Sequence, residues 1–347
     1  MTTSSWSGLL VISCMLLMSW AAAAVDMSPV RFDAAYMPLF GGDNLVPSPH
    51  ARTVLLKLDR FTGSGFVSKS AYHHGFFSAS IKLPHDYTAG VVVAFYVCLI
   101  PTFFNFLNYD IAISKLIHTY PVQWRRVPGA ARRAGLRAVG QPARPRMARP
   151  DQHVRQRQHR ARPPERYLLP FDPNAAPHSY AIAWTPAAVI FYIDAIPIRE
   201  LVRCSSGDYP AKPMSVYATI WDGSAWATDG GRHKVDYAYA PFTAVFSDLV
   251  VTGGTDDDHC AAMGLMTSEV AVMTPAKRGS MRRFRSRHLT YSACYDTVRY
   301  NGTGVVFPEC DESEQDNFHA WGESKRVINS RSSSSATYAT GSGVRID

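Results

Sequence analysis

The sequence predicts an all-β protein built as a sandwich or a barrel. Short runs rich in β-branched and aromatic residues recur along the chain, and turn residues separate them about every 8–12 positions, as in such folds. The predicted strands are Thr53–Phe61, Gly75–Leu83, Ala89–Tyr96, Ser179–Trp184, Ala188–Asp194, Ile198–Val202 and Thr243–Val251. With 347 residues, the chain is long enough for one large β domain or two average ones.

The segment Pro213–Tyr239 predicts a β-hairpin with an aromatic face. From Met214 onward, apolar residues alternate with polar or aromatic ones, so the two sets lie on opposite faces of a strand. Lys234–Tyr239 is a second candidate strand after a Gly-rich bend. Three aromatic residues accompany the bend: Tyr217, Trp221 and Trp226. Flat rings beside hydroxyls and amides suit sugar rings, and ordinary packing in a sandwich core is the alternative.

A helix is predicted after the last strand. Thr274 and Pro275 have the residue types of an N-cap and a first helical position, and the helix is expected to run to about Thr290. Its outer face carries basic residues, which indicate a solvated or anion-facing surface rather than a DNA reader. These residues are Lys277, Arg278, Arg282, Arg283 and Arg285.

The N-terminus predicts secretion. Residues 1–24 combine a polar start, an apolar run over Leu9–Trp20 and small residues at Ala21–Ala24, as in a signal peptide. Secretion implies an oxidising compartment. At the other end, residues 311–347 are first acidic and then Ser-rich, and we expect them to be disordered.

Five cysteines remain once Cys14 leaves with the signal peptide, which is an odd number. Cys294 and Cys310 would close a short loop, and a disulfide there would contribute about 3 kcal/mol by loop entropy. A Cys204–Cys260 bridge is a weaker possibility, and Cys98 is then the remaining thiol.

The segment 97–164 breaks the β pattern. Ala89–Tyr109 holds 21 residues without a charge, so a membrane span is an alternative, although Pro101 and the strand patterns on both sides argue against it. Pro121–Arg166 then carries thirteen arginines against one aspartate and one glutamate, a net charge of +11. The whole chain carries +8, which leaves −3 for the remainder. The basic character is therefore local, and it predicts a disordered basic linker rather than a nucleic-acid arm.

Four blocks of the chain resemble plant xyloglucan endotransglucosylase/hydrolases of glycoside hydrolase family 16. They contain LDRFTGSGFVSKSAYHHGFFSASI with AGVVVAFY, RYLLPFDP with HSYAIAWTP, MSVYATIWDGSAWATDGG, and RRFRSRHLTYSACYDTVRY with PEC. The resemblance implies a concanavalin-like jelly-roll β-sandwich with a long cleft and a short helical C-terminal extension. The domains expected from it are the sandwich over 25–255, interrupted by an aberrant segment at 97–164, and the extension over 256–310.

The chain departs from this family at the catalytic strand. After AGVVVAFY the family has the pattern D-E-(I/L)-D-F-E-F, whose alternate carboxylates share one face of a strand. Retaining glycoside transfer needs two such carboxyls about 5–5.5 Å apart. Here no Glu occurs between Met1 and Pro164, and Asp110 and Asp151 are the only aspartates from Val97 to Pro164. We therefore assign no catalytic residue.

The departure suggests that the transcript was spliced or translated differently from that of the family. We interpret 97–120 as retained intron sequence and 122–164 as coding sequence in a shifted frame, because Arg, Pro and Ala abound there without Lys. The chain as written is expected to be inactive in xyloglucan transfer and hydrolysis. The alternatives are a non-catalytic xyloglucan-binding sandwich and a product that does not fold.

Several binding residues carry over from the resemblance. Trp226 matches the cleft tryptophan, Gly230 the glycine of close approach, and Arg299 a sugar-contacting arginine of the extension; Trp221 and Tyr217 are cleft candidates by strand parity. Asn301 begins the sequon Asn-Gly-Thr and is the candidate glycosylation site. The resemblance implies a secreted monomer of the cell wall, or apoplast, that binds xyloglucan polysaccharide and oligosaccharide acceptors. It implies no cofactor, metal, nucleic acid or membrane.

Overall fold

The computed structural model describes residues 25–98, 111–112, 165–203, 209–225, 233–255, 259–297 and 309–318. In the first of these ranges a short helix, α1 (Phe32–Ala35), precedes the strands. The strands are β1 (Tyr36–Phe40), β2 (Leu45–Pro47), β3 (Thr53–Leu58), β4 (Ser64–Ser68), β5 (His74–Lys82), β6 (Val91–Cys98) and the two-residue β7 (Ile111–Ala112).

The strands resume after residue 164. They are β8 (Glu165–Tyr167), β9 (His178–Trp184), β10 (Ala188–Ile193), β11 (Ile196–Val202), β12 (Ser215–Asp222), β13 (Phe242–Gly254) and, in the extension, β14 (Leu289–Ser292). The helices of the C-terminal part are α2 (His259–Thr267), α3 (Pro275–His288) and α4 (Glu312–Gln315). Short 3₁₀ turns lie at Gly42–Asn44, Tyr237–Tyr239 and Ala293–Tyr295.

Two antiparallel sheets form the sandwich, so the all-β prediction is confirmed. One sheet has five strands in the order β1-β4-β12-β6-β7, and the other has seven in the order β11-β10-β9-β5-β13-β3-β2. Each sheet combines strands from before and after the segment 97–164, since β12 pairs with β4 and β6, and β9 pairs with β5. The two halves of the chain therefore depend on each other for a common core.

The core lies between the two sheets. On β3 the burial alternates, with Val54, Leu56 and Leu58 turned inward, as a strand with one covered face requires. Phe66 of the five-stranded sheet meets Phe246 of the seven-stranded sheet edge to face, with ring centroids 5.5 Å apart. Both rings are fully buried, so such aromatic contacts join the layers.

The C-terminal extension joins the sandwich through β14, which pairs with β8, and through α3, which packs on β11. The predicted start of α3 is confirmed, because the Thr274 side chain accepts a hydrogen bond from the amide of Lys277 and Pro275 occupies the first turn. Cys294 and Cys310 form a disulfide with their Cα atoms 5.5 Å apart. Cys204 lies outside the described residues, so its pairing with Cys260 stays a prediction.

Three predictions about elements differ from the structure. The tail 311–347 is expected to be disordered, but its described part begins with helix α4, and Phe318 is buried against Tyr295. Lys234–Tyr239 is not a strand: it ends in the 3₁₀ turn Tyr237–Tyr239, which Asp236 caps by accepting a hydrogen bond from Ala238. The predicted hairpin is therefore wrong, because β12 finds its partners in β4 and β6 instead. The alternative of a membrane span at Ala89–Tyr109 is contradicted by strand β6, and no helix in the described part of the chain is long and apolar enough to cross a membrane.

Candidate substrate-binding face

Strand β12 separates the core from an outer face by simple alternation. Its residues Val216, Ala218 and Ile220 belong to the inter-sheet core. Tyr217 and Trp221 have the opposite parity, so they lie on the other side of the five-stranded sheet. The alternation along β12 therefore places both residues on the side expected for cleft residues, and their role in binding stays a prediction.

The registers of the neighbouring strands extend this face. Tyr217 lies opposite Val67 of β4 on one side and Tyr96 of β6 on the other. The rings of Tyr96 and Tyr217 stack, with centroids 5.2 Å apart and an interplanar angle of 15°. We call this surface the outer face, and we define it by Gly65, Val67, Val92, Ala94, Tyr96, Tyr217, Thr219 and Trp221.

Phe40 borders the outer face, and sequence reasoning missed it. A Cβ atom built on Gly65 would lie 2.8 Å from both the Phe40 ring and the Thr219 methyl group, so the missing side chain of Gly65 makes room for both. Phe40 remains 40% exposed although it is a large apolar ring. An aromatic residue on an edge strand after Pro38 was the signal that could have found it.

The loop end of β12 is held by specific hydrogen bonds. Asp222 accepts from the Tyr237 hydroxyl at 2.7 Å, and Ser224 Oγ accepts from the amide of Val235 at 2.8 Å. Partial burial, together with the hydrogen bond and charge of Asp222, raises the pKa of Tyr237 to about 12. The amide of Gly223 donates to the carbonyl of Gly90 at 2.8 Å. These bonds fix residues 222–225 against the loop that precedes β6.

The described part of the strand beside β6, Ile111–Ala112, contains no acidic residue. Ile111 and Ala112 of β7 pair with Val97 and Tyr96, which is where the resemblance places the strand with the catalytic carboxylates. Within the strands of the five-stranded sheet as described, the only carboxylate is Asp222. Its burial opposes ionisation, but hydrogen bonds from Ser224 and Tyr237 lower its pKa overall, so it acts as a structural acceptor. A pair of carboxyls spaced for retaining catalysis is thus not present in the described part of this sheet.

Four predicted site residues cannot be placed. Trp226, Gly230, Arg299 and Asn301 all lie outside the described residues. Their assignments to glucan binding and glycosylation stay predictions.

Buried charge is concentrated elsewhere, where the extension meets the sandwich. Glu165 of β8 forms a two-pronged ion pair with Arg285 of α3, with both N–O distances 2.9 Å, and lies 3.4 Å from Arg199 of β11. Arg285 also binds Glu314 at 3.0 Å, and Arg199 binds Glu309 at 2.9 Å. We call these five residues the joint.

The joint corrects the prediction that Arg285 belongs to a solvated surface. Arg285 is 7% exposed and Glu165 is 2% exposed. Burial opposes the ionisation of Glu165, but the charges of Arg199 and Arg285 outweigh it and lower the pKa of Glu165 to about 2. A charged pair survives burial here because each partner is neutralised and hydrogen-bonded by the other.

Comparison with known proteins identifies the class to which this sandwich belongs. Residues 32–102 and 151–239 match the family described as glycosyl hydrolases family 16, and residues 261–310 match the xyloglucan endo-transglycosylase C-terminus. The family match is interrupted between residues 102 and 151, inside the segment 97–164. A solved structure with a similar fold is the catalytic domain of an endo-1,3-beta-glucanase (laminarinase) from Thermotoga petrophila RKU-1, at 12% identity and a TM-score of 0.42, covering 67% of this chain and 100% of that chain.

The sequence relatives are more specific. The Arabidopsis thaliana protein named probable xyloglucan endotransglucosylase/hydrolase protein 29 is 39% identical over 326 residues, which cover 87% of this chain and 84% of the relative. The protein named probable xyloglucan endotransglucosylase/hydrolase protein 30, from the same plant, is 39% identical over 337 residues, covering 94% of this chain and 90% of the relative. The chain therefore belongs to the xyloglucan endotransglucosylase/hydrolase family.

Proposed function

We propose that this chain binds xyloglucan on the outer face and, as written, neither transfers nor hydrolyses it. The observation that carries the proposal is the composition of the five-stranded sheet. Stacked Tyr96 and Tyr217 and the neighbouring Trp221 lie on the side of the sheet away from the inter-sheet core; Tyr96 and Trp221 are half-buried, and Tyr217, which is 3% exposed, supports the Tyr96 ring from below. The described strands of this sheet offer only Asp222 as a carboxylate. Aromatic rings bind the apolar faces of sugars without any acid, whereas cleavage by retention needs two carboxyls.

In this proposal, the activity of the family belongs to a protein translated from a correctly spliced transcript, in which the catalytic strand is uninterrupted. Such a protein would cleave the β-1,4-glucan backbone of xyloglucan through a glycosyl-enzyme intermediate. It would then transfer the bound glucan segment to the end of another xyloglucan molecule or to water. One carboxylate would attack the anomeric carbon, and the other would protonate the leaving oxygen and then activate the acceptor. We attribute the loss of both to intron retention and a frameshift within 97–164.

The proposal extends to the place where the protein works. We infer a secreted, glycosylated monomer in the cell wall, with residues 1–24 removed as a signal peptide and a glycan on Asn301. The Cys294–Cys310 disulfide supports an oxidising compartment.

A binding assay and a transfer assay together test the proposal. Electrophoresis of the purified chain in gels containing xyloglucan should show retardation, and incubation with xyloglucan and a labelled oligosaccharide acceptor should give no labelled polymer. Transfer above the background of a heat-denatured sample would overturn the inactive assignment. Migration unaffected by xyloglucan, from a sample with a cooperative unfolding transition, would overturn the binding role.

The reading of the gene is tested separately by sequencing the transcript. We expect a mature transcript that lacks the coding sequence for residues 97–120 and restores the frame before Arg166. A transcript that encodes 97–164 unchanged contradicts this hypothesis but leaves the binding assay valid.

A further inference from the structure

Helix α3 presents an unusual density of positive charge. Over Pro275–His288 it holds Lys277 and five arginines and has neither Asp nor Glu. Because an α-helix turns every 3.6 residues, its exposed arginines form two rows along the axis. The rows are Arg278 with Arg282, and Arg283 with Arg287, and all four residues are exposed.

The fold neutralises only part of this charge. Arg278 pairs with Glu200 of β11, and Arg285 is buried in the joint. The Arg283 guanidinium donates to the Ser280 hydroxyl, which carries no charge. Hydrogen bonds from Ser313, and after them the charges of Arg282 and Arg285, lower the pKa of Asp311, so that carboxylate balances part of the Arg282 charge. For Arg287 the described ranges show no hydrogen bond or ion pair. Like charges four residues apart destabilise an isolated helix, so the rows do not contribute to the stability of α3 itself.

The opposite side of α3 is rigidly attached. Phe284 packs against Tyr167 with ring centroids 5.8 Å apart, and Arg285 is held by Glu165 and Glu314. The inner side of the helix is therefore fixed to the sandwich, and its outer side is held in one orientation toward solvent.

We propose that this basic face, defined by Arg282, Arg283 and Arg287, binds a carboxylated polysaccharide of the polyuronate class. A guanidinium matches a carboxylate with two parallel hydrogen bonds and keeps its charge at every physiological pH. The basic face runs from residue 282 to residue 287, about 7.5 Å along the helix axis, so a linear polyanion can meet its three guanidiniums at once.

Two features of the chain favour this occupant. Although the whole chain carries +8, the part outside the block Pro121–Arg166 has a net charge of −3, so the basic face is a local positive patch on an acidic part of the chain. The choice of a polysaccharide over a nucleic acid rests on the proposed function, since the neutral glucan of the outer face and an acidic polymer on α3 would lie in the same wall.

The test compares two variants that each lose three positive charges. R282Q/R283Q/R287Q removes the basic face, and R52Q/K57Q/R60Q removes three charges on and beside β3, near the opposite edge of the seven-stranded sheet. Binding of the full chain and both variants to polygalacturonate is measured by titration calorimetry at low and at physiological salt. Xyloglucan gels report the outer face in parallel, and thermal unfolding confirms that each variant folds.

We expect R282Q/R283Q/R287Q to bind polygalacturonate at least tenfold more weakly than R52Q/K57Q/R60Q, with xyloglucan retention unchanged in both. The affinity of the unmodified chain should fall as salt rises, because screening weakens contacts between exposed charges. Comparing the variants is essential, since the thirteen arginines of Pro121–Arg166 are common to all three proteins.

Three results would overturn the proposal. The first is that the two variants bind polygalacturonate with equal affinity, and the second is that the unmodified chain does not bind it at low salt. The third is that single-stranded RNA or vesicles containing phosphatidylserine bind more tightly than polygalacturonate and lose this binding in R282Q/R283Q/R287Q. Loss of xyloglucan retention in every protein, with polygalacturonate binding intact, would count against the proposed function alone.

Discussion

The residues that define the outer face include no carboxylate. The only carboxylate in the described strands of that sheet, Asp222, has the opposite parity and accepts hydrogen bonds from Tyr237 and Ser224. At the joint, by contrast, three glutamates surround Arg199 and Arg285 in the interior. The chemistry of the family needs paired acids, yet the outer face holds three aromatic residues among small and aliphatic ones. The joint has paired acids, but every one of them serves a structural contact.

The contrast shows that the scaffold and the catalytic machinery depend on different parts of the sequence. The joint needs Glu165 and residues after it, all of which lie beyond the interrupted segment. The catalytic pair would have to come from the strand next to β6, inside that segment. In the proposed function, a local change in the chain removes the chemistry while the described strands still form the sandwich and pair with the extension.

The largest expected effect comes from restoring the catalytic strand. Replacing 97–164 with the corresponding segment of a relative that carries D-E-I-D-F-E-F should convert an inactive chain into an active transferase. The gain should be about 10⁶-fold or more over the uncatalysed rate, as enzymes typically provide. Transfer to a labelled oligosaccharide measures it.

The matched control for this chimera has Gln in place of both glutamates of the grafted pattern. It should keep xyloglucan retention and show no transfer. A chimera that unfolds cooperatively and binds xyloglucan but does not transfer would show that the missing strand is not the cause of inactivity.

Next in size is the removal of the central arginine of the joint. Arg285→Ala leaves Glu165 buried beside a single remaining cation, so we expect a loss of about 3–5 kcal/mol in the free energy of unfolding. Urea denaturation measures the loss. Arg287→Ala, two residues away and exposed, should change the same quantity by less than about 0.5 kcal/mol. Equal effects of the two substitutions would mean that the joint is no more important than the surface of the helix.

The acid response of the joint gives a third test. The folded pKa of Glu165, about 2, lies below its ordinary value of 4.5, so the ionised carboxylate stabilises the fold above pH 4.5. That contribution, about 3 kcal/mol for such a shift, is lost as the pH falls from 4.5 toward 2. Urea denaturation at pH 7 and near pH 2 should therefore show a smaller acid loss for Glu165→Gln than for the unmodified chain.

Glu312→Gln, at an exposed residue of α4, is the control and should follow the unmodified chain. If Glu165→Gln loses as much stability in acid as the unmodified chain does, the joint is not an acid-sensitive element.

The smallest expected effect concerns sugar stacking on the outer face. Trp221→Ala should weaken retention in xyloglucan gels about fivefold, corresponding to about 1 kcal/mol for a single aromatic contact. Leu168→Ala removes an exposed apolar side chain beside the joint and should leave retention unchanged. If both variants show the same mobility shift, Trp221 has no specific role in xyloglucan binding.

Much of the architecture follows from local sequence. Alternation over Thr53–Leu58 predicts a strand, because a half-covered strand buries every second side chain. The β-branched run at Val91–Val93 predicts another strand, and that strand is buried on both faces. Thr274 with Pro275 predicts the start of α3, since both residues satisfy needs of the first helical turn. The short spacing of Cys294 and Cys310 similarly predicts their disulfide.

The partners of these elements were decided only by the tertiary structure. Local pattern favoured a hairpin between β12 and Lys234–Tyr239, whereas β12 lies between β4 and β6, strands more than a hundred residues away in the chain. Arg285 has the spacing of a surface residue on a basic helix, yet it is buried because Glu165, 120 positions earlier, meets it there. The periodicity of a sequence shows which side of a helix or strand is covered, but not which distant residue covers it. The stacking of Tyr96 on Tyr217 and the pairing of Glu165 with Arg285 form only when segments far apart in the chain pack together.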